Sequence, residues 1–438
     1  MTKDVLAAVP KLRFPEFENA PEWTAPQISD LYVFKRTNSL PRASLNYEAG
    51  EYKNIHYGDI HTQFAPLFRV RSERVPYVDP GAAPGGFNDK DLCEAGDIVL
   101  ADASEDLGAV GKAIEVVSLG GERVVAGSHT ILATRRGSTP VLGLGGQLFQ
   151  SPVVRAGIEK EAQGAKVYGI SANRILSVSL PLPPTEAEQR KIADCLGSLD
   201  ALIAAESRKL DALEQHKRGL IQQLFPTIDE GQPGLRFKSY LSAKPWKPRR
   251  MSELIQKVSV PVTVLQDRAY REIGVRSHGK GVFHKEPKIG STIGSKRVFQ
   301  VIEDALVINI VFAWERSVAV TSADEADMIA SHRFPMYVPR AHRCDIRFIR
   351  YSLLTQRGAN LLRVASPGGA GRNRTLGQSA FAKLKIIVPE RDEQTEIANV
   401  LDAAEIHAEA QARKVAALAE HKRGLLQQLF PNLDEIAP

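Results

Sequence analysis

A stretch of 39 residues, Glu188 to Pro226, is written twice in this chain. Shifted by 205 residues, it falls on Glu393 to Pro431 with 20 of 39 positions identical, an agreement that chance does not produce. In the first copy, apolar residues stand at Ile192, Leu196, Leu199, Ile203, Leu210, Leu213, Leu220 and Leu224. Spacings that alternate four and three trace a heptad seam on a long helix. The second copy repeats the seam at Ile397, Leu401, Ala404, Ala408, Val415, Leu418, Leu425 and Leu429. A narrow apolar seam on a charged helix needs a partner, and two matched seams in one chain are most simply buried against each other. At about 1.5 Å per residue, each helix is a strut of roughly 60 Å.

Both struts have marked ends. Thr185 with Glu188 three residues on reads as an N-cap with its acid, Asp392 and Glu393 load the first turn of the second copy, and Pro226 and Pro431 stop the helices. Polar Glu206, Gln411, Lys217 and Lys422 interrupt the seam, a pattern that fixes register at some cost in stability. The run HKRGL-x-QQLFP is kept in both copies. Positive charge near a helix C-terminus suits the dipole. Local helix energetics would nevertheless tolerate many basic patterns, so Lys217, Arg218, Lys422 and Arg423 are expected to meet the same kind of partner surface at each end.

A second repeat precedes the struts at a different offset. Leu12-Arg13-Phe14 through Trp23 to Leu31 matches Leu235-Arg236-Phe237 through Trp246 to Leu254, shifted by 223. Leader, Trp, body and strut thus occur twice, and the bodies between share no convincing register. The expected order is a leader at 1–22, a first body at 23–184, a long helix at 185–226, a linker and second leader at 227–245, a second body at 246–389 and a second long helix at 390–438. Each body is rich in short β-like runs broken by Gly and Pro: Asp97–Ala101, Ala113–Val117, Arg123–Val125 and Thr130–Ala133 in the first, Val298–Ile302, Ala305–Phe312, Val318–Val320 and Phe334–Val338 in the second, with Ile346–Leu354 as a helix. The class expected is α+β, two mostly β bodies joined by an antiparallel coiled coil, with an internal pseudo-twofold.

Composition narrows the function. The 438 residues are 43% hydrophobic and 25% charged, no run of about 18 apolar residues occurs, and the first twenty residues lack an apolar core, so a cytoplasmic protein away from membranes is expected. Cys93, Cys195 and Cys344 lie far apart without metal-ligand spacing. The net charge of +6 conceals an asymmetry: from Trp246 to Val388 there are 24 Lys plus Arg against 11 Asp plus Glu, a net of +13, whereas from Trp23 to Pro183 the count is 16 against 17. A domain this positive commonly faces a polyanion.

Flexible turns carrying Arg, Asn and His are the candidates for reading DNA, because Arg pairs bidentately with guanine and Asn with adenine, while Lys holds phosphates. In the second body these are Arg276, His278 and Lys280, then Arg297, then Arg372, Asn373 and Arg374 after Gly368; in the first they are Lys35, Arg36, Asn38, Lys53 and Gln63. Catalytic motifs are missing: there is no Walker A loop, HExxH or serine elbow, and no (N/D)PP(Y/F) run in either body. Asp79 to Gly86 looks like a glycine-rich turn that holds S-adenosylmethionine, but no parallel βαβ pattern follows it, and an exposed loop is the better reading.

Taken together, Leu180-Pro-Leu-Pro-Pro184, Glu188-Gln189, Ile192-Ala193 and Gln223-Leu-Phe-Pro226, answered by Ile386-Ile-Val-Pro389, Glu393-Gln394, Ile397-Ala398 and Gln428-Leu-Phe-Pro431, resemble the specificity (S) subunit of a type I restriction-modification enzyme. Glu94 to Asp106, and Gly274 to Phe283 with Ala313-Trp314-Glu315, are similar to stretches of that family's target recognition domains. The resemblance implies a non-catalytic subunit in which each body reads half of a bipartite double-stranded DNA target and the coiled coil sets the spacing. It implies docking of two methylase (M) subunits at the repeated ends and association with restriction/motor (R) subunits. No cofactor is expected on this chain; S-adenosylmethionine, ATP and Mg belong to the partners. Two other readings stay open: a coiled-coil assembly protein without nucleic-acid function, and an enzyme using the Asp79–Gly86 loop.

Overall fold

In a computed structural model, which describes residues 9–294, 296–368 and 374–432, both repeated stretches are unbroken helices, Glu186–Leu224 and Arg391–Leu429. The chain divides into two compact units that do not follow its linear order. One comprises 1–207 with 413–438, the other 208–412. Each unit therefore holds one body, the beginning of the helix that follows that body, and the end of the other helix.

Within each unit the two helical segments run antiparallel. In the first, Lys422 reaches Asp200 at 2.6 Å and Lys414 reaches Glu206 at 2.5 Å, so as one helix advances the other recedes. In the second, Lys217 meets Glu405 at 3.2 Å while Leu220 and Leu224 pack in one cluster with Ile397 and Leu401. Lys217 and Lys422 are equivalent in the repeat, as are Asp200 and Glu405. The apolar seam is fully buried near the helix starts and ends, at Ile192, Leu196 and Leu224 and at Ile397, Leu401 and Leu429, and also at Ala408 in the middle of the second helix. Ile203, Leu210 and Leu213 are half-buried, as a two-helix seam leaves them.

The leaders explain the second repeat. Arg13 lays its guanidinium on the Glu188 carboxylate, Nε to Oε1 at 2.7 Å and Nη2 to Oε2 at 2.8 Å, and Trp23 Nε1 donates to the same carboxylate at 3.0 Å. Arg236 and Trp246 treat Glu393 in the same way, at 2.7, 2.7 and 3.2 Å. Each arginine is held in turn by carbonyls of its own leader, Ala20 and Pro21 in one case, Ala243 and Lys244 in the other. Both glutamates are buried, with 0% and 1% exposure, where a lone carboxylate would not persist. The leader also ties down the end of the opposite helix: Leu12 N donates to Gln428 O at 3.0 Å, and Leu235 N to Gln223 O at 2.9 Å. Phe430 packs edge-on against Trp23, and Phe225 does the same to Trp246. The kept QQLFP endings are thus intrachain anchors.

The first body contains a five-stranded sheet in the order Tyr32–Lys35, Thr130–Arg135, Ile98–Ala101, Ala113–Ser118, Leu67–Arg69, and a four-stranded sheet ordered Leu45–Asn46, Tyr77–Val78, Tyr52–Ile55, Arg123–Ala126. All pairings in these sheets are antiparallel except Tyr52–Ile55 with Arg123–Ala126 and Leu67–Arg69 with Ala113–Ser118. The second body has a four-stranded antiparallel sheet, Ile255–Val258, Met336–Pro339, Leu306–Ile308, Val318–Val320, with two-stranded ribbons around it. Three expected runs are shortened here, and the first, Val298–Ile302, is a strand only over Val298–Gln300. Ala305–Phe312 gives a strand only at Leu306–Ile308, after which the chain turns through Asn309 into Ala313–Glu315. Phe334–Val338 starts as a strand only at Met336, because Pro335 has no N–H to offer the ladder. The helix Ile346–Leu354 forms as expected, capped by Asp345, whose side chain accepts from Arg347 N.

That helix fixes the second body to its strut. Arg350 forks onto Glu405 at 2.6 and 2.8 Å, Tyr351 Oη donates to Asp402 and Glu405 at 2.7 and 2.9 Å, and Arg347 reaches Asp402 at 2.7 Å. Burial alone would raise the Glu405 carboxyl, but the hydrogen bonds and charge of Arg350, with Lys217 and Tyr351, more than offset this and hold it at about 2. The stability this carboxylate supplies is therefore complete above about pH 4.5 and is lost as pH falls from there toward 2. Glu405→Gln should cost about 3 to 5 kcal/mol by leaving Arg350 uncompensated, and should flatten the acid limb of the stability profile, as read from urea denaturation midpoints between pH 3 and 7.

Candidate nucleic-acid interface

In the second unit the hairpin Ile273–Val275 with Val282–His284 carries the basic turn Arg276–Gly281. The backbone is bent hard here. His278 stands at φ 61°, Gly279 at 70° and Gly281 at 80°, and in the adjoining turn Arg316 stands at 60°. Non-glycine residues in this region carry strain that the surroundings must hold. Three hydrogen bonds do so: Gly279 N donates to Arg316 O at 3.0 Å, Ser277 Oγ to Glu315 at 2.8 Å, and Arg350 Nη2 to Gly279 O at 3.1 Å. The guanidinium that grips the strut at Glu405 thus also grips the turn, which ties the turn to the helix through one planar group.

This arrangement gathers cations over aromatic rings. Arg276 lies 5.0 Å from the Phe283 ring centroid, and Arg374 lies 5.6 Å from that of Trp314. Arg276, His278 and Lys280 are all exposed, and Ser277 between them is half-buried. The turn, the Ala313–Arg316 segment and Arg374 therefore bring Arg276, His278, Lys280 and Arg374 together with the Trp314 indole and Glu315, while the half-buried Arg316 donates to Leu354 O at 3.2 Å. Such a surface offers point charges for phosphates, planar forks for base edges and a stacking face. Arg297 is exposed on a separate segment, before the strand Val298–Gln300, and among the described residues no hydrogen bond, ion pair or ring contact joins it to this cluster. Arg372 and Asn373 lie outside the described residues.

The first unit treats its candidates differently. Lys35 is tied to Glu94 at 2.7 Å and to Leu92 O. Asn38 donates to Asn54 Oδ1 at 2.9 Å and Ala126 O at 2.8 Å and accepts from Leu40 N, so its amide closes a turn. Lys53 lies 4.3 Å from the Tyr77 ring centroid, and Gln63 donates to Asp59. Arg36 is exposed at the rim of a recess of about 200 Å³ shared with Thr37, Asn38, Phe87 and Asp91. Sequence reading missed Arg42 and Arg74, whose guanidinium groups lie 5.6 and 4.4 Å from the ring centroid of the exposed Tyr47. Scattered through the sequence as ordinary surface residues, they signal nothing until the fold stacks them. The loop Asp79–Gly86 is a lid: Ala82, Ala83 and Phe87 pack over Tyr52, Val78 and Val125, and Asn46 holds Asp79 at 2.5 Å.

At the strut ends, Lys217 and Lys422 are spent on Glu405 and Asp200, and Lys422 is buried. Arg218 and Arg423 keep well-exposed side chains beside Glu214 and Glu420 on their own helices. Among the described residues, no group of three or more His, Cys, Asp or Glu is placed to hold a metal ion, and no helix is long and apolar enough to cross a membrane.

Among solved structures, the chain is similar to a type I restriction-modification system S subunit from M. genitalium, at 14% identity and a TM-score of 0.59, covering 97% of this chain and 99% of that one. It is also similar to a chain from a structure on complex assembly and conformational transition of the type I R-M system (12%, TM-score 0.49, 93% and 97%), and to the HsdS subunit from Thermoanaerobacter tengcongensis (14%, TM-score 0.36, 93% and 96%). No protein-family model matches the chain, and no curated protein matches it. The chain has the fold of an S subunit: two mixed bodies joined by long repeated helices.

The geometry of the basic turn is testable without any ligand. A Cβ on Gly279 would stand 2.6 Å from Leu354 Cδ2 at a backbone angle that Ala resists. Gly279→Ala should destabilise by about 1 kcal/mol or more, with hydrogen exchange rising at 276–281 and 313–316 while the helices keep their protection.

Proposed function

We propose that this chain is the DNA specificity subunit of a type I restriction-modification enzyme. The observation that carries the reading is the division of labour between repeated and unrepeated parts. The grip of leader Arg and Trp on the buried glutamate, the seam and the QQLFP anchor are kept in both halves and are consumed by contacts within the chain. The two bodies share no register, and the second presents cations and an indole on a strained, tightly held turn. A protein that keeps its frame and varies what the frame displays is built to read two different things. On this reading each body reads one part of a split double-stranded target, and the helices set the unread gap, since a stiff rod fixes spacing against the helical pitch of DNA.

The surface favours Arg276, Lys280 and Arg374 as base- or phosphate-facing groups beside Trp314, with Arg36, and Arg42 and Arg74 on Tyr47, as the corresponding groups in the first body. Methylase subunits would dock at the repeated strut ends, where Arg218 and Arg423 are open. The chemistry, with S-adenosylmethionine on the methylases and ATP and Mg on the motor subunits, lies with these partners, and the complex would work in the cytoplasm.

The decisive experiment is a single-molecule map of adenine methylation in cells that express this chain with the methylase subunit encoded beside it. A split motif that disappears when the chain is omitted is the expected result; methylation independent of the chain would leave an assembly scaffold as the better reading. Reversing charge at Arg276, Lys280 and Arg374 should weaken duplex binding by at least tenfold and lower the slope of log affinity against log salt by about 2 to 3. Matched insertions of four residues in both long helices, about one turn each, should lengthen the gap in the methylation motif and leave both half-sites unchanged.

A further inference from the structure

The two halves differ in charge at one place where their backbones are equivalent. After each leader tryptophan the chain runs extended beside the last segment of its body. In the first unit this is marked by the bridges Thr24 to Leu182 and Gln27 to Ser179, and in the second by the ribbon Lys247–Arg250 with Lys385–Val388, where Lys247 faces Val388 and Arg250 faces Lys385. Thr24, Pro26, Gln27 and Ser179 thus correspond to Lys247, Arg249, Arg250 and Lys385. Four uncharged residues in one half are four cations in the other.

The ribbon is displayed. Lys247 through Arg250 are all exposed, as is Lys385. Lys247 and Arg249, with Arg343 and Arg391, line an open recess of about 400 Å³. Among these cations only Arg249 has an ion-pair partner among the described residues, Glu253 at 3.7 Å. Arg250 and Lys385 stand directly opposite each other across the ribbon, an arrangement of like charges that weakens a two-stranded sheet. The first half avoids that repulsion with Gln27 and Ser179. The frame is therefore less stable here than its own repeat shows it could be.

We infer that this ribbon is a second, sequence-independent contact to duplex DNA, in which Lys247, Arg249, Arg250 and Lys385 hold backbone phosphates beside the second body only. The inference rests on the DNA-reading function proposed above and adds an asymmetry to it. The basic turn is tied to the strut at Glu405 and the ribbon lies at the start of the same helix, near Arg391, so the two are separated by about 14 residues, or roughly 21 Å along the axis. That separation is more than half a turn of duplex, whose pitch is about 34 Å. Phosphates, rather than base edges, suit the ribbon because its cations stand on long stems with no ring contact among the described residues, and only Arg249 is held, by Glu253. Its footing makes the second half-site the one gripped more strongly and with the steeper salt dependence.

The test uses the full chain with Lys247, Arg249, Arg250 and Lys385 all changed to Ala. Fluorescence anisotropy with a mixed-sequence duplex about three helical turns long is followed across rising KCl, alongside co-purification with the co-expressed methylase subunit. The expected result is a salt slope lower by about 3 to 4 units, near 0.9 for each phosphate left without its cation, with a thermal midpoint equal to or above that of the parent because the Arg250–Lys385 repulsion is gone. An unchanged slope, where Arg276→Glu with Lys280→Glu and Arg374→Glu still weakens binding, overturns the ribbon and leaves the proposed function standing. An unchanged slope with loss of the methylase marks the ribbon as a protein-docking surface and equally overturns it. If the parent chain binds no duplex, the DNA-reading function itself falls, and the ribbon with it.

Discussion

A carboxylate in a protein interior must be paired, and in this chain two such carboxylates decide where everything else goes. Glu188 and Glu393 open the two long helices, and each is buried. Their partners come from an arginine and a tryptophan far earlier in the chain. Because a guanidinium satisfies both carboxylate oxygens in one plane, the leader can approach in only one orientation. The leader then presents its backbone to the end of the opposite helix. One desolvated ion pair thus fixes the body, the start of one helix and the finish of the other, and losing either partner would strand a buried charge.

The frame was legible in the sequence because its physics is periodic and repeated. Heptad spacing, helix stops and two repeats at different offsets mark out struts and leaders. What the repeat could not disclose was the direction in which the kept residues point. The HKRG lysines read as surfaces for partners, yet Lys217 and Lys422 cross to the facing helix. The acids of the first helical turn read as dipole partners, yet Glu188 and Glu393 turn inward to the leaders. Residues kept for contact within a chain and residues kept for contact between chains look alike in one sequence.

The displayed surface was legible only in part. The turn around Arg276, His278 and Lys280 stood out because glycines flank its cations. The structure places it with Arg374 and Trp314, although the first and last of these are far apart in sequence. In the first body Lys35 and Asn38 drew attention for the same local reasons, and both are absorbed by the fold. Arg42, Arg74 and Tyr47 were overlooked, because a stack of two guanidiniums on a phenol is made by tertiary packing and leaves no local pattern. Charge composition singled out the half of the chain that carries the Arg276, Trp314 and Arg374 surface without identifying which cations are free.

The joints between the halves carry a further consequence. In the second unit the end of one helix and the next leader are joined by a peptide linker, and Leu235 N bonds Gln223 O beside it. In the first unit the same pair of elements meets through Leu12 and Gln428 with only noncovalent contacts, at almost the same distance. The fold therefore does not register which joint is covalent. A gene rearranged to join the Gln428 end to the Leu12 leader and to open the linker between Gln223 and Leu235 would specify the same neighbours, so the two written orders differ in which loop closure the chain makes and not in the contacts it forms.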